Sequence, residues 1–252
     1  MNNKIKLNIL NLLIVLLLSV CVIFNFATVK NNYEVNRIKT SEKVVMLTFD
    51  DGPGQADEAI MDILKKHRAK ATFFGTGINY EKYFTDGGKT KSIVDRMIAE
   101  GHTLGNHSYY HNNYLLNTKE AFKEFYKTSE LIVKIYDQKG NDIKKIISNI
   151  PVRMPYLQYH RGMGYLQDKL NINYFVRGYL GCDYNESVCG KEKILNQYKT
   201  HLSAGKILVA HTRDYATQWL DDLLTYLEEK GYKTANFEDS EYSYKKYGGL
   251  VF

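Results

Sequence analysis

Between residues 44 and 236 the sequence alternates short apolar runs with longer amphipathic stretches, and this alternation limits the possible folds more than any other feature. Residues 44–49, 70–75, 102–105, 172–176, 206–210 and 232–236 read as strands. Residues 56–67, 92–100, 118–137, 192–202 and 217–230 read as helices. In the first helix Ile60, Ile63 and Leu64 recur at helical spacing, and in the second Ile93, Met97 and Ile98 do the same. The third opens on an Asn117/Thr118 cap with Glu120 and Glu124 in its early turns. Such alternation over about 200 residues implies a parallel sheet covered by helices, either a barrel or a doubly wound sheet. In both, chemistry gathers just past the carboxyl ends of the strands.

The first 29 residues are of another kind. Lys4 and Lys6 precede an uncharged stretch that reaches Lys30, and residues 12–24 are apolar except for Ser19. Lysines followed by an apolar run have the format of an export signal. Cleavage after Asn25-Phe26-Ala27, a lipoprotein cut before Cys21, and an uncleaved anchor are the competing outcomes. An anchor needs about 20 apolar residues. Residues 9–27 nearly supply them, and the lysines hold the short end in the cytoplasm. The expectation is therefore a signal-anchor over 1–29, with cleavage and secretion as the alternative. A polar linker over 30–42 would follow, then a domain over 43–240 outside the cytoplasm and a C-terminal tail over 241–252.

The formal net charge of +6 does not argue for a nucleic-acid partner. Lys4, Lys6 and Lys30 account for half of it, leaving 31 basic against 28 acidic residues in the body. An extracytoplasmic compartment permits a disulfide between Cys182 and Cys189, which lie seven apart in a polar loop. Two free thiols are the alternative, because spacing does not fix geometry.

Two short clusters carry candidate chemistry. Directly after the first strand come Thr48-Phe49-Asp50-Asp51-Gly52-Pro53. Adjacent carboxylates point in different directions, so one can hold a metal while the other faces a bound water. An Asp-rich turn or helix cap would use the same residues. After the third strand come His107-Ser108-Tyr109-Tyr110-His111. Two histidines four apart share a face if the segment is helical, and imidazole is a common neutral metal ligand. With Asp51 they make a two-histidine, one-carboxylate set that leaves positions open for water and substrate. Tyr109, Tyr110, Tyr114, Tyr159 and Tyr165 lie near these clusters, where aromatic faces can stack on sugar rings or pack against the sheet.

This combination resembles the polysaccharide deacetylase family, the carbohydrate esterases homologous to the nodulation chitooligosaccharide deacetylase. Arg153-Met154-Pro155-Tyr156 and Leu208-Val209-Ala210-His211 match two further motifs of that family. The resemblance implies a distorted (β/α)7-type barrel, preceded here by the apolar N-terminal helix. It implies Asp50 as general base, with Asp51, His107 and His111 as ligands of a divalent metal, zinc by default. It also implies Arg153 as the partner of Asp50, the Tyr156 N–H as an oxyanion donor and His211 as general acid. The family's remaining motif places an Asp beside a Trp; the counterpart here is Asp183-Tyr184, since the single Trp is the distant Trp219. Asp183 would then orient His211, with Tyr156, Tyr184 and Pro155 on the substrate side. The implied reaction is hydrolysis of N-acetyl groups on hexosamine units of peptidoglycan or a related glycan. Two rivals are removal of O-acetyl groups from a polysaccharide and a catalytically weak glycan-binding protein on the same scaffold.

Overall fold

The computed structural model describes residues 33–114, 117–140, 150–158 and 161–252. The apolar segment 1–29 and the candidate cut before Cys21 lie outside the described residues. Among the described residues no helix is long and apolar enough to cross a membrane.

In chain order the elements are β1 (Glu34–Val35), β2 (Arg37–Lys39), β3 (Val44–Asp50), α1 (Ala56–Lys66), β4 (Ala71–Gly75), α2 (Gly77–Thr85) and α3 (Lys89–Ala99). There follow β5 (Thr103–Asn106), α4 (Thr118–Gln138), α5 (Met163–Leu170), β6 (Phe175–Val176), β7 (Tyr179–Leu180) and α6 (Lys191–Thr200). The series closes with β8 (Lys206–His211), α7 (Thr217–Glu229), β9 (Lys233–Ala235) and β10 (Gly249–Val251).

Strand β3 is the centre of the sheet, and all seven of its residues are buried. A strand covered on both faces shows a continuous apolar run, which is why residues 44–49 read as they do. Its side chains still alternate between faces. Val45, Leu47 and Phe49 enter the large core under α1, α3, α4, α6 and α7. Val44 and Met46 enter a smaller core with Phe74, Val176 and Ile207. By the same alternation Thr48 and Asp50 share this second, inner face.

Strands β4 and β8 flank β3 in parallel, β5 pairs in parallel with β4, and β9 pairs with the first residues of β3. Single bridges from Asn106 to Val152 and from Val152 to Phe175 continue the parallel series to β6, and β7 returns to β8. The result is an α/β fold whose sheet curls into a half-barrel with helices outside. Among the described residues the expected distorted (β/α)7 barrel is present only as this half-barrel, because past β5 the pairing thins to one-residue bridges and two-residue strands.

Two stretches read as a linker and a tail are part of the sheet. Strand β1 pairs with β6, and β10 lies antiparallel to β2, which in turn touches β8. Val35 and Ile38 are fully buried, and buried Glu34 meets Arg177 at 3.2 Å. Alternating charges masked these inward-facing apolar positions. Helices α2 and α5 were absent from the sequence reading; α2 buries Tyr80 and Tyr83 while exposing Ile78 and Phe84, which blurs its periodicity.

Candidate active site

Strand β3 ends at Asp50, and Asp51 turns out of the strand with a φ of 75°. This left-handed conformation is tolerated by Asp better than by most residues. Asp50 points inward and is 2% exposed, whereas Asp51 is only partly covered. Fully buried Arg153 meets the inner face of β3. Its Nη1 donates to Asp50 Oδ1 at 2.5 Å and to Thr48 Oγ1 at 2.8 Å. Nε and Nη2 donate to the carbonyls of Val176 and Arg177 at 3.1 and 2.9 Å. Burial alone would raise the Asp50 carboxyl, but the charges of Arg153, His107 and His211 outweigh it. Asp50 is thus held ionised, below the ordinary carboxylate range.

His107 follows β5, and its Nδ1 donates to the Arg153 carbonyl at 3.0 Å. That bond puts the ring proton on Nδ1 and leaves Nε2 with a free lone pair. Nε2 lies 3.6 Å from Asp50 Oδ2 and 3.8 Å from Asp51 Oδ1. Burial outweighs the pull of Asp50 and Asp51 and lowers the His107 pKa, which favours the neutral, ligating form. His111 Nε2 is 3.5 Å from Asp51 Oδ1, and the two imidazoles meet edge to face with centroids 4.8 Å apart.

The helical face offered for this pair is not what brings it together. Residues 107–111 form a loop with left-handed φ values of 64° at Ser108 and 58° at His111. Ser108 Oγ accepts the His111 N–H, and Asn106 Oδ1 accepts the Ser108 N–H.

Strand β8 ends at His211, which lies opposite Asp50 in the parallel register. Its Nδ1 faces both Asp183 oxygens at 3.2 Å, and its main-chain N–H donates to Asp183 Oδ2 at 2.7 Å. Burial disfavours the imidazolium, but the hydrogen bond and charge of Asp183, backed by Asp50 and Asp51, prevail and raise the His211 pKa. Cys182 and Cys189 are joined as a disulfide around the loop that holds Asp183. Gly181 is needed beside it, because a Cβ there would lie 2.6 Å from the Tyr198 ring.

Tyr156 has a φ of 59°, is 62% exposed and packs edge-on to His111 at 4.5 Å. Tyr184 is exposed, 6.4 Å from the His211 ring. Pro155, expected on the substrate side, is instead buried beneath its turn. Tyr109 and Tyr114 are buried, whereas Tyr110 and Tyr165 are exposed; Tyr159 lies outside the described residues.

Some supporting residues escaped the sequence reading. The Thr212 N–H donates to the Asp50 carbonyl at 2.8 Å, and its hydroxyl donates to Asp57 Oδ1 at 2.7 Å. Asp57 Oδ2 accepts the Gly54 N–H at 2.8 Å, so this residue ties the loop after β3 to the end of β8. Burial, opposed by these two bonds, pushes the Asp57 carboxyl up to about 7. An Asp in the first turn of a helix looks like an ordinary dipole partner, so nothing local marks this bridge.

The candidate ligand atoms of Asp51, His107 and His111 all lie within 4.8 Å of one another. Asp51 Oδ1 lies 3.8 Å from His107 Nε2 and 3.5 Å from His111 Nε2, separations near those of donors that share one divalent ion at about 2.0–2.2 Å. One carboxylate with two imidazoles, one of them fixed in tautomer by a carbonyl, is a donor set suited to such an ion. A polar depression lined by Asp51, Asn79, Lys82, Thr212 and Arg213 adjoins another lined by Tyr184, Asn185, Glu186 and Arg213.

Known proteins of one family resemble this chain in sequence and fold. A family model described as polysaccharide deacetylase matches residues 37–175. A peptidoglycan-N-acetylglucosamine deacetylase of Bacillus cereus is 36% identical over 115 residues, covering 46% of this chain and 34% of that enzyme. The peptidoglycan-N-acetylmuramic acid deacetylase PdaA of Bacillus subtilis is 28% identical over 212 residues, covering 79% of this chain and 72% of PdaA. Among solved structures, the Xyl-CE4 domain of a multidomain xylanase from the hindgut metagenome of Trinervitermes trinervoides superimposes with a TM-score of 0.64 and 28% identity, covering 77% of this chain and 87% of that domain. The chain spans about a third of the length of the two Bacillus cereus relatives it matches.

Proposed function

Because this chain belongs to the polysaccharide deacetylase family, we propose that it is a metal-dependent hydrolase that removes N-acetyl groups from hexosamine units of peptidoglycan or a related glycan. The observation that carries this reading is the meeting of three pairs or sets within one site. They are the Asp51–His107–His111 cluster, the Asp50–Arg153 pair and the His211–Asp183 pair.

Amide carbonyls are poor electrophiles, so hydrolysis needs an activated water, oxyanion stabilisation and a protonated leaving group. A divalent ion at the cluster, zinc in this reading, would supply a water acidic enough to ionise near neutral pH. Asp50 Oδ2 accepts the proton of the attacking water, while Arg153 keeps Asp50 ionised and aimed. The Tyr156 N–H faces the oxyanion, a donor of the kind typically worth about 3 kcal/mol. His211, with Nδ1 held by Asp183, carries its transferable proton on Nε2 and gives it to the departing amine. Tyr184 and Tyr156 offer aromatic faces to the sugars, and the depressions around Arg213 give a polymer room to extend on either side.

In this reading residues 1–29 export or tether the protein, and the domain works outside the cytoplasm on wall glycan, with no nucleic-acid partner. Replacing Asp50 with Asn decides the assignment of the base. Metal content and fold should persist while acetate release drops by about 10²-fold or more; a variant that still releases acetate at the normal rate refutes it. Likeness to a family 4 acetyl xylan esterase of Clostridium thermocellum (25% identity, TM-score 0.63, covering 77% of this chain and 88% of that one) favours one second reading, removal of O-acetyl groups. Acetate release from an N-acetylglucosamine oligomer and from acetylated xylan, measured side by side, separates the two. Release from neither would leave the weak glycan-binding protein as the better account.

A further inference from the structure

We propose that Glu124 is the positioning residue that fixes His111 for metal binding; this rests on reading Asp51, His107 and His111 as the ligands. His107 needs no such help. It is 2% exposed, its N–H donates to the Gly75 carbonyl at 3.0 Å, and its Nδ1 is bound to the Arg153 carbonyl. The sheet sets its place. His111 is different: its side chain is 27% exposed and its backbone is left-handed, a conformation unfavourable for a residue with a Cβ. His107 and Tyr156 touch its ring and Ser108 Oγ accepts its N–H, but all of these contacts are side chains, and no strand sets its place.

What holds the loop is a buried carboxylate on α4. Glu124 is 4% exposed and lies two turns into the helix. Its Oε2 accepts the N–H groups of Tyr109 and Tyr110 at 3.2 and 2.7 Å and the Tyr114 hydroxyl. Its Oε1 accepts Asn112 Nδ2 at 2.8 Å. All four donors are neutral, and they flank His111 on both sides. A carboxylate is an acceptor at both oxygens, so it can gather four donors that a neutral side chain of the same size cannot gather unchanged. Burying an anion to bind two main-chain amides of one loop is costly unless the loop's shape matters. Here that shape decides where the His111 imidazole points.

The test is metal affinity in the full chain, measured by competition of zinc with a chromophoric chelator, alongside circular dichroism and urea unfolding. Glu124→Ala should unfold cooperatively yet bind zinc about tenfold or more weakly, the usual scale for loss of a group that orients a ligand. Glu124→Gln should recover most of the affinity, because its amide oxygen can take the three Oε2 bonds while Asn112 turns its own amide over. Should the Ala variant not fold, the double variant Asn112→Leu with Tyr114→Phe removes two donors and should still weaken zinc binding. His111→Ala is the reference. Wild-type affinity in folded Glu124→Ala or in the double variant overturns the proposal, as does a Gln variant as weak as Ala. Undiminished zinc content in His111→Ala would instead remove His111 from the ligand set, and the proposal with it.

Discussion

At the scale of single residues, the site is a set of charges whose neighbours decide their protonation. The His211–Asp183 pair gives the clearest consequence. A general acid acts only when protonated, and Asp183 outweighs burial to raise the His211 pKa above the ordinary imidazole value. Activity should therefore survive through neutral pH and fall as the pH rises through that raised value. Replacing Asp183 with Asn removes the charge, lowers the His211 pKa and moves the alkaline limb of the kcat/KM profile to lower pH. An unmoved limb would mean that another group titrates there. Much of this was legible in the sequence. Asp50, His107 and His211 each stand at or just past a buried apolar strand, where chain alternation announces its ends. Thr48, Asn106, Glu124 and Thr212 were less so, because a hydrogen bond to a residue distant in the chain leaves no local pattern.

At the scale of elements, the first turn of α1 carries an unusual load. Asp57 is wholly buried between Gly54 and Thr212, and burial raises its pKa to about 7. The sign follows from linkage: a carboxyl that holds its proton more tightly when folded favours the native state at low pH. That advantage is lost as pH rises from about 4 through about 7. Asp57→Asn keeps an acceptor for the Gly54 N–H, offers Thr212 Oγ1 an amide N–H to accept in place of the bond it now donates, and does not titrate. Between pH 4.5 and pH 7 the variant should gain on the wild type by about 3 kcal/mol in urea unfolding; a constant difference would show that Asp57 is ionised throughout. The same scale explains what escaped the sequence. Strands β1, β2 and β10 are two or three residues long, and the first two carry charges, so their pairing depends on partners more than 140 residues away, as with Glu34 and Arg177.

At the scale of the molecule, the proposed ligands join two loops that leave different strands, Asp51 after β3 and the histidines after β5. An ion bound only by the folded chain therefore stabilises it by mass action, about 2.7 kcal/mol when present at 100 times its Kd. A chelator should lower the Tm of the wild type and leave that of His107→Ala where it stands; equal shifts in both would place the metal elsewhere.

The parallel register of β3 and β8 sets Asp50 directly across from His211, on neighbouring strands about 4.8 Å apart. Their separation is a property of the backbone ladder, which no side-chain substitution lengthens, and a one-residue slip would turn every side chain of the strand to the other face. If the proposed roles hold, a lineage built on this ladder can redraw the disulfide-closed loop at Tyr184 and the turn at Arg213 while the strand spacing that sets Asp50 across from His211 stays fixed.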